Sequence, residues 1–111
     1  MSRRILRVNE LIKTELGKII FKKIELPDGV FLNIIEVSTA PDLSQANIYI
    51  SVFPEQKMNE TMLILKKNIF EIQRLLNRKL VMRKVPKISF FEEKKLIEAG
   101  RLEKIFSELE K

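Results

Sequence analysis

Residues 46 to 53 read Ala-Asn-Ile-Tyr-Ile-Ser-Val-Phe, with Ala46, Ile48, Ile50 and Val52 on alternate positions. Successive side chains of a strand point to opposite faces, so this run describes a strand with one aliphatic face and one that is not. Such a strand must bury its aliphatic face under a second layer, which the rest of the chain has to supply. VFLNIIEV, residues 30 to 37, is a second alternating run rich in β-branched residues. The polar STAPDLSQ between the runs, with Pro41 and Asp42, predicts a hairpin with a loop longer than the minimum. Pro54 closes the second strand, because proline cannot donate to a central ladder.

The period changes on both sides of this hairpin. Residues 3 to 23 carry Ile5, Val8, Leu11, Ile12, Leu16, Ile19 and Ile20 at spacings of three and four, which predicts an amphipathic helix with Arg4, Arg7, Glu10, Lys18 and Lys22 on its other face. Pro27-Asp28-Gly29 predicts a reversal after it. From Glu60 to about Leu80, Met62, Leu65, Ile69, Ile72, Leu76 and Leu80 repeat the helical spacing. Pro86 bars helix before KISFF, where Ile88 and Phe90 alternate with Ser89 and Phe91 in a third strand. Leu96 to Leu109 reads as a trailing helix with Leu102, Ile105, Phe106 and Leu109 inward.

The order α-β-β-α-β, with a trailing C-terminal helix, predicts an α+β two-layer sandwich over residues 1–111 as a single domain, its third strand reached by a helical crossover as parallel pairing requires. The expected core is Val8, Leu11, Leu16, Ile19, Ile35, Ile48, Ile50, Leu65, Ile72, Leu76, Ile88 and Phe90. An unbroken helix from Glu60 to Leu80 would be about 30 Å long and would overhang three strands, so a bend or break is expected at Asn68, whose side chain can compete for helix hydrogen bonds.

Charge points to a partner. The chain has 21 Lys and Arg against 15 Asp and Glu, a net charge of +6. From Lys66 to Lys87 there are eight basic residues (Lys66, Lys67, Arg74, Arg78, Lys79, Arg83, Lys84 and Lys87) against Glu71 alone, so this segment exceeds the charge of the whole chain. On one continuous helix Lys67, Arg74 and Arg78 would project within roughly 40° of one another, opposite the apolar stripe. Like charges a turn apart repel, and a stripe of one sign is the footprint of a polyanion binder, although a solvated lysine-rich surface is the plainer alternative. Arg3, Arg4 and Arg7 form a second basic group, or a solvated end. Phe90 and Phe91 are expected to divide between the core and a flanking helix rather than to stack on bases, and Tyr49 to lie on the sheet surface.

Other chemistries are poorly supplied. Without His or Cys the chain lacks the commonest general base and the strongest nucleophile, and it can form no disulfide or thiolate metal site. Its glycines, Gly17, Gly29 and Gly100, spell no phosphate-cradling loop, so no cofactor is expected. The adjacent Glu92 and Glu93 point to opposite faces of a strand, which favours solvated charge over a metal pair. No apolar run approaches the roughly 20 residues that span a bilayer, and a cytoplasmic monomer is expected.

RVNELIKTEL, VSTAPDLSQANIYISVF, RLLNRKLVMRKVPKISFF and LIEAGRLEKIF, in that order, resemble the bacterial ribosome-binding factor A family over essentially the whole chain. Asp42-Leu43 with Ala46 and Tyr49, Val85-Pro86 before Phe90-Phe91, and Arg101 carry most of the likeness. The resemblance implies a type II KH-like domain without a GxxG loop. It also implies a non-enzymatic role in late small-subunit maturation and pre-rRNA processing, with cold adaptation, and the small ribosomal subunit and its rRNA as partners. Relatives kink the long helix at a small Ala-x-Gly-type interruption; the corresponding place here is Asn68-Ile69-Phe70, with Asn and Phe in place of Ala and Gly. The RNA-binding residues expected are Arg3, Arg4, Arg7, Lys67, Arg74, Arg78, Lys79, Arg83, Lys84 and Lys87. The rival readings are a generic RNA-binding module not dedicated to the ribosome, a protein- or membrane-binding module using the same basic surface, and last a metal-assisted nuclease using Glu92 and Glu93.

Overall fold

The computed structural model describes residues 2–93, so the expected helix over 96–109 and Arg101 lie outside the described residues. Three strands form one sheet in the order β1-β2-β3: β1 is Phe31–Thr39, β2 is Gln45–Phe53 and β3 is Lys87–Glu92. β1 and β2 are antiparallel, and β3 lies parallel to β2 on its other side. The parallel pairing requires the chain to cross over between β2 and β3. It does so through a 3-10 turn at Glu55–Lys57 and two helices, α2 (Met58–Lys67) and α3 (Ile69–Lys79).

The first helix, α1, covers Arg3–Lys23. Ser2 caps it, its hydroxyl accepting from the Ile5 N–H at 3.1 Å. Ile5, Val8, Ile12, Leu16, Ile19 and Ile20 are buried along one stripe. Leu11 was expected in the core and is instead 44% exposed. Ile12 holds the contact line, and one residue earlier is turned by about 100°. After α1, the Val30 N–H donates to the Pro27 carbonyl at 3.2 Å, and Gly29 takes φ +77°, a conformation that a side chain would make costly.

Ala46, Ile48, Ile50 and Val52 of β2 are all buried, together with Ile88 and Phe90 of β3. β1 departs from strict alternation. Its register with β2 slips between Ile34 and Glu36, so Ile34 and Val37 take the buried positions. Ile35, expected in the core, is the extra residue of this bulge and is only half-buried. The Thr39 hydroxyl donates to the Asn9 side-chain oxygen at 2.5 Å and ties the end of β1 to α1.

The helices pack on the aliphatic face of the sheet through Leu65, Ile72 and Leu76, all fully buried. Asn68 separates α2 from α3 with φ −103° and ψ 13°. Its side-chain amide donates to the Ile64 carbonyl at 2.7 Å, and its backbone N–H reaches the Ile64 and Leu65 carbonyls at 3.1 and 3.2 Å. The end of α2 is thereby satisfied, while the Asn68 carbonyl accepts from Ile72 N–H at 2.9 Å and opens α3. The interruption is one residue long: Ile69 and Phe70, grouped with it on the sequence, are the first two residues of α3.

Candidate nucleic-acid interface

The expected site residues fall into two groups. Lys66 and Lys67 form the last turn of α2, while Arg74, Arg78 and Lys79 lie along α3, all exposed. The break expected at Asn68 is present, so the projection of Lys67 with Arg74 and Arg78, which took the helix as continuous, does not carry across it: Lys67 belongs to α2, Arg74 and Arg78 to α3. Arg74 is also engaged. Its guanidinium donates to both oxygens of Glu71 at 2.7 and 3.2 Å, so the one acid of the segment offsets it. Among the described residues, Lys66, Lys67, Arg78, Lys79, Arg83, Lys84 and Lys87 have no carboxylate within ion-pair distance.

The second group gathers at the end of the sheet that holds the β1–β2 loop. The Lys87 N–H donates to the Ser44 carbonyl at 3.2 Å, which places the exposed start of β3 beside that loop. Hydrogen bonds from the Ser44 side chain and backbone hold the Asp42 carboxyl below its usual range, and the Lys84 charge adds to the effect. Asn9, two residues past Arg7, is tied to Thr39 at the same end. The exposed Arg3, Arg4 and Arg7 therefore extend past the end of the sheet from which Lys84 and Lys87 emerge.

Two features went unseen on the sequence. Lys18, Lys22 and Lys23 of α1 share a groove with Leu75 and Lys79 of α3, so Lys79 has basic neighbours from the opposite end of the chain, with Glu15 in the same groove paired to Lys18 at 3.7 Å. Helical spacing placed Lys18 and Lys22 on the polar face of α1, but only packing shows which helix lies alongside. The other is Gln73. Its amide nitrogen donates to the Pro86 carbonyl and the Asn77 side chain, both at 3.0 Å, and its oxygen accepts from Ile88 N–H at 2.9 Å. One side chain thus fastens the basic turn before β3 onto α3, satisfying backbone groups that β2 does not reach.

Glu92 borders a groove with Lys66 of α2, and among the described residues no group of three or more potential ligands could hold a metal ion. No described helix is long and apolar enough to cross a membrane.

The model for the family described as ribosome-binding factor A matches residues 4–106. The chain belongs to the ribosome-binding factor A family. It is 34% identical over 116 residues to a ribosome-binding factor A of Pelodictyon phaeoclathratiforme, covering all of this chain and 95% of that one. It is 29% identical over 110 residues to one of Bdellovibrio bacteriovorus, covering 98% and 82%. The crystal structure of ribosome-binding factor A from Thermus thermophilus superposes with a TM-score of 0.68 at 21% identity, over 81% of this chain and 96% of that one. A homology model of the Thermus thermophilus factor fitted into a cryo-EM map of a 30S complex gives 0.62 at 21% identity, over 75% and 88%. At that identity the structural likeness shows the fold: an α+β, KH-like domain with its helices on one side of a three-stranded sheet. Ribosome-binding factor A is a non-enzymatic family, and this chain is a ribosome-associated factor rather than an enzyme.

Proposed function

We propose that this chain binds the small ribosomal subunit during its late maturation and contacts rRNA phosphates through α2, α3 and the turn before β3. The observation that carries this reading is the exposure, without ion-pair partners among the described residues, of Lys66, Lys67, Arg78, Lys79, Arg83, Lys84 and Lys87 on consecutive elements. The likeness to a factor fitted into a 30S complex supports the choice of partner. Phosphate contacts set position and orientation and carry no sequence information directly, so selectivity must come from the shape of the rRNA or its unpaired bases. Processing of precursor rRNA then depends on the factor indirectly, through the subunit it occupies, and cold sensitivity follows where rRNA refolding limits assembly.

The test is co-sedimentation with free small subunits. Changing Lys67, Arg74, Arg78 and Arg83 together to Glu should abolish it while leaving circular dichroism intact, because all four side chains are exposed. Replacing one phosphate-contacting residue with Ala should lower the slope of log K against log salt by about one unit at most. Unchanged affinity and salt slope in the quadruple variant would reduce the basic surface to a solvated face. Equal binding to unrelated structured RNA would favour the generic module.

A further inference from the structure

We propose that the open face of the sheet is a stacking platform for the unpaired bases of single-stranded RNA. Apart from taking RNA as the ligand, this does not rest on the reading above, since it concerns the sheet face turned away from the core, although Phe91 at its β3 edge also borders a groove with Met62, Leu63 and Lys66 of α2.

The two faces of the sheet differ in kind. Facing the helices are Ala46, Ile48, Ile50, Val52, Ile34, Val37, Ile88 and Phe90. On the other face the strand register sets Tyr49 beside Phe91 and Phe31 opposite Phe53, with Asn33, Asn47, Ser51 and Ser89 on the rows between and beside them. The Tyr49 and Phe91 rings are 5.7 Å apart at 31°. Phe31 and Phe53 are 72% and 70% exposed. Among the described aromatics only Phe90 is buried, so the chain keeps most of its rings out of the core, where rings usually contribute most.

The composition selects the occupant. A packed helix would be met by aliphatic residues, as it is on the inner face. This face instead alternates flat rings with amides and hydroxyls, the combination that stacks bases and hydrogen-bonds their edges. The Tyr49–Phe91 and Phe31–Phe53 rows stand four residues apart along β2, about 13 Å. Lys87 lies as far from Tyr49 and Phe91 in the other direction, four residues before Phe91, and joins the face to the Lys84 end of the basic turn. Glu36 is the only acid among the paired positions of this face. A strand leaving the basic turn therefore meets a cation, then one pair of rings, then a second.

Tyr49 reports on its own face, being the only tyrosine in a chain without tryptophan. Titrating the full chain with a short unstructured oligoribonucleotide at low salt should quench Tyr49 fluorescence saturably, and a duplex of the same length should not. Exchanging both Phe31 and Phe53 for Ser should weaken that binding on the order of tenfold with the melting temperature held. The response should survive in the quadruple Glu variant of the basic surface, even where subunit binding is lost. If the unmodified chain binds subunits while Tyr49 stays silent, or if duplex and single strand quench alike, the platform is overturned and the phosphate-binding reading is untouched. If Tyr49 in the free chain is shielded from acrylamide, the face is already covered, by residues 94–111 or, if sedimentation shows a dimer, by a second copy. Either result overturns the proposal.

Discussion

The two faces of the same three strands illustrate what burial asks of a sequence. Along β2 the inward residues Ala46, Ile48, Ile50 and Val52 are at most 5% exposed. Their outward neighbours Asn47, Tyr49 and Ser51 are half-buried, and Phe53 is open. The inner residues are small or β-branched because they must interdigitate with Leu65, Ile72 and Leu76 at close-packed density. The outer residues meet no second layer among the described residues, and the interdigitation that selects the inner set is not asked of them there.

That contrast breaks most visibly under truncation. Ile48→Ala should cost about 2 to 5 kcal/mol by denaturant unfolding, because it opens a cavity in a site with no exposure; a loss under half a kcal/mol would mean that the inner face is loosely packed. Gln73→Leu comes next. It leaves the Ile88 N–H and the buried Pro86 carbonyl without their side-chain partner, at a cost of about 1 to 3 kcal/mol. Hydrogen exchange at Ile88 should rise with it, and unchanged exchange would show that Gln73 does not hold β3. Arg74→Ala removes an ion pair whose side chains are 55% and 50% exposed, and should cost less than about 1 kcal/mol. Phe53→Ser, on the open face, should stay within about half a kcal/mol, and a larger loss would show that the face is covered in solution.

The smallest effect is electrostatic. The Asp42 carboxyl is held below its ordinary range in the folded chain, so its contribution to stability is present above the unfolded carboxylate range and is lost as the pH falls through the folded value. Asp42→Asn should flatten the stability profile slightly in that acid window and leave it unchanged at neutral pH relative to the variant's own plateau. A change in the neutral or alkaline slope would show that another group is responsible.

Periodicity made the fold legible where one face of an element met one layer. β2 alternates along its length and β3 as far as Phe90, and the buried residues Ala46, Ile48, Ile50, Val52, Ile88 and Phe90 match the sequence reading. It failed at Ile35 and Leu11. In β1 an extra residue shifts the phase by one, and nothing local to VFLNIIEV marks the place, because Ile34 and Ile35 are equally apolar. In α1 the apolar stripe is wider than the contact, so Leu11 and Ile12 could not be separated before the position of the sheet was known. The basic residues were legible as a set but not as a surface: their projection assumed one helix, and the break at Asn68 divides it.

The sequence by itself determined the types and order of the described helices and strands, the inward residues of β2 and β3 with Leu65, Ile72 and Leu76 of the helices, and the excess of positive charge between Lys66 and Lys87. These depend on the local period of apolar residues and on proline and glycine, which act within a few residues of chain. Only the tertiary structure decided that the register of β1 slips at Ile35, that Gln73 reaches fifteen residues ahead to Ile88, that Lys79 shares a groove with Lys18, Lys22 and Lys23, and that Tyr49 meets Phe91. Each of these is a contact between segments that no local period links. Their relative placement is settled by the packing of the whole layer, where a shift of one residue in a strand or a single helix break changes which side chains can meet.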